Sequence, residues 1–166
     1  MLPEEVSKFI GQTSDTSIFE VEKEVIRRFA DAVDDSNPLY WDEEYAKKSR
    51  YGSIIAPPGF ISSSWFSGRP TKWPKRGETT SEARRQLRDA LSKAGYSNPG
   101  AIDAGIEYEF FRPVRAGDTI TVSSMIKDII EREGKTGKMA FITTETTYTN
   151  QNGDLVAKAR GTSIMR

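Results

Sequence analysis

The chain has 166 residues, of which 24 are basic, 24 acidic and none histidine or cysteine. That length supports one domain with a buried core, and the balanced charge gives no whole-chain field toward nucleic acid. Without Cys or His, disulfides, thiolate catalysis and Cys/His metal sites are excluded, and no cofactor is implied.

No stretch approaches the roughly 20 apolar residues of a membrane span. The opening MLPEEVSKF has no apolar run of signal-peptide length, so the expectation is a cytoplasmic protein that does not engage membranes. Pro3 to Ile10 reads as a short helix, since Pro3-Glu4-Glu5 suits a first turn and Gly11 a stop. Thr16 to Val21 reads as a strand. Lys23 to Val33 places Val25, Ile26, Phe29, Ala30 and Val33 on one helical stripe, which predicts a helix packed on a core.

Asp35-Ser36-Asn37-Pro38 is turn chemistry: Asp and Asn side chains bond nearby backbone, and Pro38 keeps Asn37 out of the helical region. Asp42-Glu43-Glu44 opens a short helix that ends near Gly52, with Lys47, Lys48 and Arg50 in its last turns. Ala56-Pro57-Pro58-Gly59 leads into Phe60 to Phe66, read as an apolar, buried helix begun by proline. A loop punctuated by Gly68, Pro70, Pro74 and Gly77 follows. Thr79-Thr80-Ser81-Glu82 has capping-box spacing for a helix carrying Ala83, Leu87, Ala90, Leu91 and Ala94. Gly95 ends that helix, and Asn98-Pro99-Gly100 is a turn. From Arg69 to Lys93 only Glu78, Glu82 and Asp89 oppose a run of Arg and Lys. It reads as a solvated helix face, or as a contact for an anionic partner through its Arg and Lys donors.

The last third reads as four long strands, Ile102 to Val114, Thr119 to Ile130, Met139 to Asn150 and Leu155 to Met165, joined by Gly- and Asn-rich turns. Ile120, Val122 and Ile126 share one face of the second; in the third, Thr143, Glu145, Thr147 and Thr149 oppose Ile142 and Tyr148. Consecutive strands with short turns make antiparallel hairpins, and with the early strand they form a five-stranded sheet of the α+β class.

Asp35-Ser36-Asn37-Pro38-Leu39, with Ala46 on a later small position, resembles the Gly-Asp-x-Asn-Pro-(apolar)-His motif of MaoC-type (R)-specific enoyl-thioester hydratases and dehydratases of the hotdog superfamily. Ala56-Pro57-Pro58, the stretch Glu109 to Asp118 and Asn152-Gly153-Asp154-Leu155-Val156 are similar to segments of its FAS1-like, or MaoC N-terminal, branch. The resemblance implies one hotdog domain over 1–166, a curved antiparallel sheet around the apolar Phe60 to Phe66 helix, with a loop-helix insertion at about 68–100. Two motif positions depart: the glycine is Asp34 and the histidine is Tyr40.

In the catalytic members the motif Asp and His activate water, and a backbone N–H at the start of the central helix holds the enolate oxygen. Carried over, Asp35 takes the catalytic place, while Tyr40, with an ordinary pKa of about 10, is a poor base. The oxyanion-hole glycine falls on Pro58, which lacks an N–H, or on Gly59 after a one-residue shift. Asn37, Tyr40, Gly59, Phe60, Trp65 and Arg112 are the substrate-side candidates. Read structurally, Asp35 and Asn37 are turn and cap residues, Tyr40 and Trp41 packing residues, Phe60, Trp65 and Phe66 core, and Arg112 and Arg115 salt-bridge partners. Ser62, Ser63 and Ser64 lack a base that would make them nucleophiles. The expectation is the non-catalytic subunit of a MaoC-like hydratase or dehydratase, shaping the pocket for an acyl-CoA or acyl-carrier-protein thioester. Its partner would be a second copy, or a hotdog subunit carrying the Asp/His dyad. The alternatives are a homodimeric acyl-thioester binding protein without turnover, and a hotdog thioesterase using Asp35, Asp103 or Glu107.

Overall fold

The computed structural model describes residues 2–13, 16–62, 82–96, 102–134 and 137–166. The first part of the chain is helical apart from one short strand. Helix α1 spans Glu4–Ser7, strand β1 Ser17–Glu20 and helix α2 Lys23–Ala32. Ile26 and Ala30 are the buried residues of α2, on the stripe its periodicity predicts. The helix ends in a Schellman motif. Asp34 takes the left-handed conformation with φ 55°, its N–H bonds the Asp31 carbonyl at 3.1 Å, and the Asp35 N–H bonds the Ala30 carbonyl at 2.9 Å. The motif glycine thus stands at a position that needs positive φ, and aspartate is among the few other residues that tolerate it.

Asn37 caps a 3-10 turn at Pro38–Tyr40, and Asp42 caps helix α3, Glu43–Lys48. Each cap does what its residue type favours: Asn37 Oδ1 accepts the Leu39 N–H at 3.1 Å and Asp42 Oδ1 the Tyr45 N–H at 3.0 Å. Where an apolar helix over Phe60 to Phe66 was expected, the described part is a 3-10 helix at Pro58–Ser62, with Phe60 and Ile61 buried. The remainder, including Trp65 and Phe66, lies outside the described residues, as do the capping-box residues Thr79, Thr80 and Ser81 and the turn at Asn98-Pro99-Gly100. Helix α4, Glu82–Lys93, buries Leu87 and Leu91.

Strands β2 (Ile102–Phe110), β3 (Thr119–Gly134), β4 (Gly137–Thr149) and β5 (Leu155–Met165) join β1 in one antiparallel sheet of order β1-β3-β4-β5-β2. Strand β2 ends before the expected Val114. The Phe111 and Arg112 N–H groups both turn to the Val156 carbonyl, at 2.9 and 3.1 Å, and Pro113 has no N–H to continue the ladder. Strand β3 runs past the expected Ile130, and a bulge between Ile126 and Asp128 resets its alternation, so that Ile126 and Ile129 are both buried.

Register puts Val122, Tyr148 and Ala157 in one row across the inner face, then Ser124, Thr146 and Ala159, then Ile126, Thr144 and Gly161, then Ile129, Ile142 and Ser163. Two apolar clusters cover this face. One gathers Ile26, Ala30, Tyr40, Phe60 and Ile61 over Ile120, Tyr148 and Ala157. There Phe60 meets the Phe29 ring edge-on, with centroids 5.6 Å apart at 85°. The other packs Val6 of α1, Phe9 just after it, and Leu87 and Leu91 from α4 against Ile126, Ile129, Ile142 and Met165. Burying each large side chain here contributes about 1.5–3 kcal/mol.

Candidate functional site

The Asp35-to-Tyr40 segment is a chain of local hydrogen bonds. Asp35 Oδ1 accepts the Asn37 N–H at 3.1 Å, and Trp41 Nε1–H donates to the Asp35 carbonyl at 2.9 Å. Asn37 then caps the turn that carries Tyr40. Tyr40 is buried, and its phenol is held above the ordinary tyrosine value, first by burial and next by the Asp35 charge, against a lowering hydrogen bond from Asn37. Near neutral pH it stays protonated. It can donate a hydrogen bond but cannot serve as a base.

A cavity of about 640 Å³ opens beside this turn. It brings together Asn37, Tyr40, Pro58 and Arg112 with apolar walls from Ile55, Ile61, Phe110 and Val114. Asp35 does not line it. Gly59 is exposed and outside that lining, with the Phe29 ring 3.6 Å from where a Cβ would stand. Phe60 is 1% exposed and lies in the core. Of the substrate-side candidates, then, Asn37, Tyr40 and Arg112 share one cavity, Gly59 and Phe60 do not line it, and Trp65 is outside the described residues.

Arg112 pairs with Asp154 at 3.3 Å, and Arg115 donates from Nε to the Tyr51 carbonyl at 3.3 Å. Arg112 thus has the ion pair expected of it, whereas the acceptor of the Arg115 side chain among the described residues is a backbone carbonyl. From the sequence, Arg50 reads only as a helix-end charge and Tyr51 has no reading at all. Both line the cavity, with Arg50 donating to the Tyr51 hydroxyl at 2.6 Å and stacking on its ring at 4.8 Å. Adjacent Arg and Tyr after a helix end carry no spacing signal, so nothing marks them as cavity residues.

A second cavity, of about 450 Å³, lies between α4 and the inner face of the sheet. Arg84 and Arg88 of α4, both exposed, border it. Arg85 pairs with Glu82 on its own helix.

Three comparisons place this geometry among known proteins. A family model described as the FAS1-like, dehydratase domain region matches residues 8–159. The chain is 31% identical over 144 residues to a probable enoyl-CoA hydratase alpha subunit from Thermomonospora curvata, covering 82% of this chain but only 42% of that protein. It is 35% identical over 122 residues to a UPF0336 protein from Streptomyces avermitilis, covering 73% of this chain and 71% of that one. Among solved structures, the ChsH1-ChsH2 complex from Mycobacterium tuberculosis superposes with a TM-score of 0.75 at 20% identity, over 92% of this chain and 88% of that chain. At that identity the likeness establishes the fold: a curved antiparallel sheet with helices on its inner face.

Proposed function

The chain belongs to the MaoC-type hotdog dehydratases through their FAS1-like dehydratase domain region, and from that premise we propose that it is the non-catalytic subunit of a hydratase or dehydratase acting on acyl thioesters. The observation that carries this reading is Tyr40. At the motif histidine stands a buried phenol whose proton is held more tightly than usual. The motif carboxylate beside it is engaged in a turn. Pro58, at the ungapped place of the oxyanion donor, brings no N–H to the cavity. The histidine base and an N–H donor at Pro58 are therefore missing from this cavity, and Asp35 does not line it.

A partner supplies them in this reading. Strand β2 is an edge strand with Ile102 43%, Ile106 57% and Phe110 48% exposed, and Phe111 just beyond it is 46% exposed. An apolar sheet edge of this kind invites another sheet. The cavity holding Asn37, Tyr40 and Arg112 then becomes a wall of the acyl-thioester pocket rather than the seat of chemistry.

The test is reconstitution. The chain is mixed with a hotdog subunit bearing the Asp/His dyad, and both the mass of the assembly and crotonyl-CoA hydration are measured. A heteromer whose formation raises the hydration rate supports the proposal. If the chain remains self-associated and the dyad subunit's rate is unchanged, the proposal fails.

A further inference from the structure

The inner face of the sheet is apolar at both ends and hydroxylated in the middle. The hydroxyls of Ser124, Thr146 and Thr144 lie between Ala159, of one apolar cluster, and Ile126, of the other. Small and hydroxylated side chains here leave room beneath α4, and the resulting cavity of about 450 Å³ lies within the range of small-molecule sites. Ser124 and Thr146 satisfy each other at 2.8 Å, as cross-strand hydroxyls do.

Tyr148 differs. Its side chain is only 7% exposed and lines this cavity, yet its hydroxyl has no hydrogen-bond partner among the described residues. The hydroxyl opens onto the cavity instead of being sealed in the core, which leaves its O–H free to donate to a ligand there. Burial pushes the phenol up to about 12, with Tyr108 adding to the rise and Arg84 opposing it, so the proton stays on the oxygen at neutral pH. Asp103 borders the same cavity as Arg84 and Arg88, so its rim carries both signs, and a protonated phenol calls for an oxygen acceptor rather than an ammonium group.

We propose that this cavity receives an acyl group bearing a neutral oxygen acceptor away from its thioester, with the Tyr148 O–H donating to that oxygen. The inference rests on the acyl-thioester reading above and narrows it to oxygen-bearing acyl groups over plain alkyl chains.

Calorimetric titration tests it with three probes: octanoyl-CoA, an octanoyl-CoA analogue with a ketone on its penultimate carbon, and methyl hexyl ketone alone. The keto-thioester binds the protein about tenfold more tightly than octanoyl-CoA, the worth of one well-formed hydrogen bond in a dry site. In Tyr148→Phe that preference disappears while octanoyl-CoA affinity is unchanged. Thr144→Leu, which narrows the cavity from the sheet, weakens both thioesters and the free ketone. Thioesters that bind with no ketone preference, or with a preference that persists in Tyr148→Phe, overturn the inference and leave the acyl-thioester reading standing. Binding of the free ketone through Tyr148, with neither thioester bound, retains the hydrogen-bonding cavity but overturns the acyl-thioester reading and the substrate class drawn from it.

Discussion

Asp35 Oδ1 accepts the backbone N–H of Asn37 at 3.1 Å, a bond between a carboxylate and the chain two residues on. This is the Asx turn, which asparagine makes as well as aspartate, because only the carbonyl-like oxygen is used. Asp35→Asn is therefore expected to leave stability within about 0.5 kcal/mol, whereas Asp35→Ala, which removes the acceptor, costs about 1 kcal/mol. Urea denaturation of both variants measures the difference. A working catalytic carboxylate would show the opposite pattern, tolerating neither change in activity.

The Asp34 backbone sets up a second prediction. At φ 55° it occupies the left-handed region at the end of α2. That conformation costs a residue with a Cβ about 1–2 kcal/mol, and glycine, at the expense of roughly 0.5–1 kcal/mol of chain entropy, avoids it. Asp34→Gly, which restores the motif residue, should stabilise by about 0.5–1 kcal/mol, and Asp34→Val should destabilise. Thermal melts of the two variants should move in opposite directions.

Leu91 is fully buried where α4 meets β3, β4 and β5. Leu91→Ala removes buried methyl groups and leaves a void, at a cost of about 2–5 kcal/mol. Chemical denaturation gives that value directly. A much smaller loss would mean that α4 is not packed on the sheet.

Tyr148 also predicts a pH dependence. Burial raises its folded pKa to about 12, above the ordinary tyrosine value of about 10. A group raised in this way stabilises the fold fully below the unfolded value, and that contribution is lost as pH climbs through the folded one. Stability should fall between about pH 10 and 12. In Tyr148→Phe that fall should be shallower, while the acid limb is unchanged. Unfolding midpoints measured across the alkaline range check both statements.

How much of this was legible in the sequence depends on how local each cause is. The Asn37 and Asp42 caps, the α2 stripe and the existence of four long strands are written in short-range patterns, although β2 ends earlier and β3 runs further than those patterns place them. The end of β2 is less visible, since it depends on Phe111 and Arg112 sharing the Val156 carbonyl. Tyr148 was legible as an inward residue, but its hydroxyl's surroundings were not. Those depend on a register reset by the bulge at Ile126 and Asp128, and on α4 lying across the sheet. Within the candidate site, Asn37, Tyr40 and Arg112, three of the substrate-side candidates, line one cavity, and Asp35 stands outside that lining. A motif gives residue order, whereas the Schellman turn before Asp35 sets which way the backbone leaves α2.

The central claim is that this chain holds no acid–base machinery of its own. Hydration of crotonyl-CoA by the isolated chain, with protein in excess over substrate so that even one turnover is seen, tests it most directly. The account predicts no conversion above the buffer rate, and the same null result for Asp35→Asn and Tyr40→Phe. Conversion by the isolated chain that Asp35→Asn abolishes would contradict it, and would make the turn carboxylate a base after all.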